Sequence, residues 1–231
     1  MRRILRHPFL TLSPIAALAL SAVSVAQAQT VMPPSAQASC VQNAGNGELA
    51  CGTGATASPG TGATAYGINA KATADAAVAV GSNANASSIS AMAFGLNTVA
   101  SNQGSVAVGQ GATSSGNAST ALGFAARAFG NDSVAVGDTA TAGGANANFS
   151  TAIGSNSSAG FASSTAIGNG AQATAANQVV LGTATNTYTL PGVNSPASHA
   201  AQKPPLLMLT VDANGNIATA RIPACRCQFR R

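Results

Sequence analysis

A five-residue phrase ending in glycine recurs through the middle of this 231-residue chain at almost constant spacing. It reads SVAVG at 105–109 and 133–137, and STAIG at 150–154 and 164–168. Variants end at Gly81, Gly95, Gly123 and Gly182, and ATAYG at 63–67 is an earlier copy. From Gly67 onward the glycines follow at five intervals of 14, one of 17 and two of 14 residues. A short fixed period of this kind marks a repeat architecture, in which each unit leans on its neighbours.

Within the phrase, chemistry alternates. Val80, Phe94, Val108, Leu122, Val136, Ile153, Ile167 and Leu181 precede the glycines, and Val78, Met92, Val106, Thr120, Val134, Thr151, Thr165 and Val179 stand two residues earlier. Between them lie Ala79, Ala93, Ala107, Ala121, Ala135, Ala152 and Ala166. Period two sends the bulky sets to one face of a strand and the alanines to the other. The bulky face is expected to be buried, Thr120, Thr151 and Thr165 with it. The alanine rows are expected outside, where another backbone can come close. A second alternation of small residues follows each glycine, as at Ala84 and Ala86 or Ala171 and Ala173. One period therefore holds strand, turn, strand, turn, with no room for a crossover helix. Stacked in register, such coils make an all-β, parallel β-solenoid rising about 4.8 Å per coil. Glycine, Asn, Ser and Thr in every period argue against helix.

The repeat SxAxG-x9, over residues 63–182, resembles the head repeat of trimeric autotransporter adhesins, the YadA-like head. The last copy, NQVVLG at 177–182, is similar to that family's head-ending copy. The resemblance implies a left-handed β-roll of 14-residue coils, assembled as a homotrimer and displayed on a Gram-negative surface. It implies an adhesin head binding extracellular matrix, cells or surfaces. A secreted structural or ice- or surface-binding solenoid is the alternative. In the trimer the alanine rows are expected to form the seam, with Phe124, Phe129, Phe149 and Phe161 as further contacts.

Residues 1–28 read as a secretory signal: Arg2, Arg3 and Arg6, then an apolar stretch too short to span a membrane, then Ala26-Gln27-Ala28. Export, to the cell surface, outer membrane or extracellular space, follows. Residues 29–62 read as an irregular N-terminal leader or cap, with 49–52 a degenerate first copy. There Cys40 and Cys51 are a disulfide candidate for an exported chain. Residues 183–205 read as a linker, with a strand possible over 186–193. Residues 206–231 hold a short hairpin about Asn214-Gly215 and a tail. The family's stalk and anchor are not legible, since neither sustained heptads nor four membrane strands occur. The chain is therefore expected to be released, or held by another protein. The ending at 224–231 reads as a truncation or frame shift, and its C-x-C as a poor zinc site.

Charge excludes other classes. After the signal, seven Lys and Arg stand against five Asp and Glu, a net +2, and four of the seven cations follow residue 220. The repeats carry only Lys71 and Arg127, so no basic face exists for nucleic acid. After residue 28, one His (His199), one Glu (Glu48) and scattered aspartates converge on no acid–base or nucleophilic pocket. No catalytic, cofactor-binding or metal-binding residue is assigned, and no cofactor. The three extra residues between Gly137 and Gly154 are expected to bulge where the chain turns.

Overall fold

The computed structural model describes residues 40–221 apart from Ala44, Gly60, Ala145, Asn146 and Pro205. The signal segment, most of the leader and the C-x-C tail lie outside the described residues. The chain divides into two units, one ending at Thr183 and one beginning at Ala184.

The first unit is a parallel β-solenoid of about nine coils. Three-residue strands, from Thr64–Tyr66 through Val106–Val108 to Val179–Leu181, form one sheet. Two-residue strands, from Thr56–Ala57 to Gln172–Ala173, form a second. Every residue pairs with its counterpart one coil away: Val106 lies beside Met92 on one side and Thr120 on the other. The stack begins before residue 63, because Glu48–Cys51 pairs in parallel with Thr64–Tyr66. Outside it, Cys40–Asn43 runs antiparallel and covers that edge. Cys40 and Cys51 stand directly opposite each other and are joined by a disulfide.

Two corners close each coil. At the first, the glycine after the strand takes a φ near 130°, and the residue two later is left-handed, as at Asn83 (φ 54°) and Asn97 (φ 55°). A Cβ on Gly67 would lie 2.6 Å from the Gly81 carbonyl oxygen, so glycine is demanded by the neighbouring coil as well as by its own torsion. At the second corner the left-handed residue is Ala76, Ser90, Gly104, Ala118, Asp132, Phe149, Ser163 and Asn177 in successive coils. The three extra residues fall in this corner, between Ala142 and Asn148. Pairing is 14 apart up to Ala128–Ala142 and 17 apart when it resumes at Val134–Thr151.

The alternation is the reverse of the one expected. Ala79, Ala93, Ala107, Ala121, Ala135, Ala152 and Ala166 are fully buried, and with the alanines of the second sheet they form one continuous core. The bulky rows face out; Tyr66 is 61% and Leu122 45% exposed. Thr120, Thr151 and Thr165 point outward with them. The reason is the width of the tube. A coil of fourteen residues brings its two walls so close that Ser114 on the second sheet and Ser119 before the next strand touch, Oγ to Oγ at 2.6 Å. Ala, Ser and Thr fill this gap along the stack, and a larger residue, Val180, takes the inward position in the last coil, where no further strand follows.

The inward hydroxyls also close turns. Ser105, Ser133 and Ser164 each donate to the carbonyl three residues back, at 2.6–2.7 Å, and Thr98 does so to Gly95 at 3.0 Å. A buried hydroxyl is tolerated because it is satisfied.

In the second unit residues 186–190 form no strand, contrary to expectation. A 3-10 turn (Pro191–Asn194) and a short α-helix (Pro196–Ala201) follow. Ser195 caps that helix, accepting from the Ser198 N–H, and Pro196 sits at its first position. Leu207–Val211 and Ile217–Arg221 make the antiparallel hairpin.

Candidate assembly and adhesion surfaces

The solenoid presents two unlike outer faces. On the first sheet, two outward positions in each three-residue strand and the residue after the glycine line up from coil to coil. They carry Tyr66, Ile68, Met92, Leu96, Leu122, Phe124, Ile153 and Ile167, all more than a third exposed. On the second sheet the corresponding rows are Lys71, Asn85, Val99, Thr113, Arg127, Thr141, Ser158 and Gln172, with Ser87, Ser101, Ser115 and then Phe129 beside them. The first face carries most of the large apolar side chains and the second is predominantly polar.

The corners differ too. Phe124 stands at the first corner, at the margin of the apolar face. Phe129, Phe149 and Phe161 stand at or beside the second corner on three successive coils, 40%, 62% and 44% exposed, around the three-residue insertion. The same corner carries an amide ladder. Asn131 Oδ1 accepts from the Asn117 N–H at 2.9 Å, and Asn148 Oδ1 accepts from the Asn131 N–H at 3.0 Å. Other coils place Ser101 and Ser115 where Phe129 stands, Ala118 and Asp132 where Phe149 stands, and Ala74 and Asn102 where Phe161 stands, so the coil itself does not require the phenylalanines.

Among the described residues no group of three or more His, Cys, Asp or Glu is gathered to hold a metal. Lys71 and Arg127 lie four coils apart on the polar face and make no basic patch. No helix among the described residues is long and apolar enough to cross a membrane.

Matches to the model of the YadA head domain repeat fall at residues 58–84, 86–112, 114–140, 145–171 and 162–185. Together they span more than half of the chain. The chain belongs to the YadA head repeat family. Among solved structures, the collagen-binding domain of the Yersinia adhesin YadA aligns over 62% of this chain and 70% of its own, at 28% identity and a TM-score of 0.42. No curated protein matches the chain. The family matches start within the described coils, break over residues 141–144 at the insertion and end just past Gly182, where the stacking ends.

Membership of the YadA head family makes the role adhesin-like. The seam is where the sequence reading needs correction. The alanine rows cannot be a seam, because they are the core of each chain. The bulky rows, expected inside, are the surface left to meet another molecule. The signal for this was available: a 14-residue period with two strands has too small a bore for Val, Leu or Phe.

Proposed function

We propose that this chain is a non-catalytic adhesin head, exported and displayed outside the cell, that works as a homotrimer. The carrying observation is the exposed apolar side chains that recur along the outer face of the first sheet, from Tyr66 to Ile167. Apolar area on this scale, rimmed by polar rows, marks an interaction surface in a soluble protein. Three outward positions per coil over about nine coils supply the 20–30 residues a side of a standard interface. An alanine-cored tube also buries little apolar area by itself, which favours stacking against copies. Covering this face leaves the polar sheet available to a ligand. We place ligand contact at the second corner, where Phe129, Phe149 and Phe161 stand exposed beside the insertion. The targets are extracellular matrix proteins, cell surfaces or abiotic surfaces.

Light scattering over a dilution series tests the trimer. A particle of three chains is expected, and a strict monomer at high concentration would refute it. Adhesion to matrix-coated wells tests the ligand side. Phe149→Ser should weaken adhesion several-fold and leave the particle size unchanged. Loss of the trimer instead would move Phe149 to the seam.

A further inference from the structure

The apolar face does not repeat with every coil. It repeats with every second one. The residues flanking the corner glycine run Tyr66 and Ile68, then Val80 and Ser82, then Phe94 and Leu96, Val108 and Gln110, Leu122 and Phe124, Val136 and Asp138. A large apolar pair thus alternates with valine and a polar residue across six coils. In space this makes three ridges about 9.6 Å apart, twice the strand spacing, with troughs between them. Ridge residues Tyr66, Ile68, Leu96, Leu122 and Phe124 are 41–61% exposed, whereas Phe94 and the trough residues Val80, Val108 and Val136 are half-buried. After the insertion the alternation stops, and Ile153 with Ser155 is followed by Ile167 with Asn169.

The coil gives no reason for a two-coil period. Inside, ridge and trough coils are alike: Ala65, Ala79, Ala93, Ala107, Ala121 and Ala135 are all fully buried. The alternation therefore belongs to what the face meets. Cyclic symmetry about an axis along the rod sets each coil level with its own copies. Ridges then pool with ridges and troughs with troughs. A slip of one coil would set Phe124 or Leu122 against the level of Asp138 or Gln110, burying polar groups without partners. Rows that were uniform would permit that slip, as flat strands with a featureless face do.

We propose that the ridge–trough alternation over residues 66–138 is a register code, read by second copies of the same chain, that admits only chains whose coils are level. It rests on the homotrimer proposed above and adds how the chains are aligned. Specificity of this sort needs a penalty on the wrong arrangement as well as a reward for the right one. Ser82, Gln110 and Asp138 supply the penalty.

The test exchanges each ridge with the trough that follows it. Tyr66→Val and Ile68→Ser are combined with Val80→Tyr and Ser82→Ile, and the next two ridge–trough pairs are exchanged likewise. Parent and shifted chains are each purified, one is isotopically labelled, and both are unfolded, mixed in equal amounts and refolded together for native mass spectrometry. Each is expected to trimerise alone, with mixed trimers at least about tenfold below their statistical share. Mixed trimers at the statistical share would overturn the code and leave the trimer standing. A parent that stays monomeric would remove the trimer and the code together. If the shifted chain does not trimerise alone, a flattened chain carrying Ile68→Ser, Leu96→Ser and Phe124→Ser replaces it. That chain should mix freely with the parent and give trimers of more than one mobility on native electrophoresis. A single mobility would overturn the code.

Discussion

Ala107 and Val108 are neighbours with opposite duties. Ala107 is fully buried against the other wall of its coil, so Ala107→Phe has no space to occupy and should unfold the stack locally. Val108 faces out, so Val108→Asp should leave the coil folded and split the assembly. Circular dichroism and light scattering separate the outcomes. The first variant loses strand signal at lower temperature, and the second keeps it but shifts to monomer. Gly109 is constrained twice, by φ 124° and by the Gly123 carbonyl, against which a Cβ would fall. Gly109→Val should cost on the order of 1–3 kcal/mol or more, read as a lowered Tm. An unchanged Tm would count against the packing at this corner.

At the scale of the element, strand positions were legible because alternation and glycine spacing act locally. Orientation was not, since period two separates the faces without saying which is inside. The bore of the tube decides that, and it depends on two strands at once. The helix at Pro196–Ala201 had a readable start in Ser195-Pro196, obscured by the prolines on either side. The hairpin was readable from Asn214-Gly215, but its clasp is Asp212. The Asp212 carboxylate accepts from the backbone N–H groups of Asn214 and Asn216, at 2.9 and 2.8 Å, and from the Asn216 side chain. Chiefly the Asn216 side-chain bond, then its backbone bond, hold the Asp212 pKa below the usual carboxylate range. Because the folded value is depressed, the carboxylate's contribution to the turn is present above pH 4 or so and is lost as pH falls through the folded value. The Asn216 amide should exchange faster in acid, and Asp212→Ala should remove that pH dependence. An Asn216 amide indifferent to both would deny the clasp.

For the whole molecule, each coil touches only the coils on either side, so unfolding should proceed from an end rather than throughout. The ends are unequal. Cys40–Asn43 lies over the first, tied through the Cys40–Cys51 disulfide, while Val179–Leu181 is the last strand of its sheet at the other. Hydrogen exchange should therefore show protection falling toward Val179. Reduction of the disulfide should lower protection at Leu49 and Ala50 before it affects Ala121. Uniform protection along the rod would mean that the coils open together. The assembly seam was the part of the candidate site least legible in sequence. Once the alanines had been set outside, the rows left for association were the wrong ones.

The alanine core has a thermal consequence. Unfolding most domains exposes large apolar side chains, and the resulting rise in heat capacity, about 12–15 cal/mol/K per residue, bends the stability curve into a dome. Here unfolding exposes methyl groups and a dense ladder of peptide groups, whose hydration pulls the heat capacity the other way. Calorimetry of a monomeric variant such as Val108→Asp should give a per-residue value below that range. The coil would then hold nearly the same margin of stability in the cold as in the warm, with a flat curve where most domains have a dome.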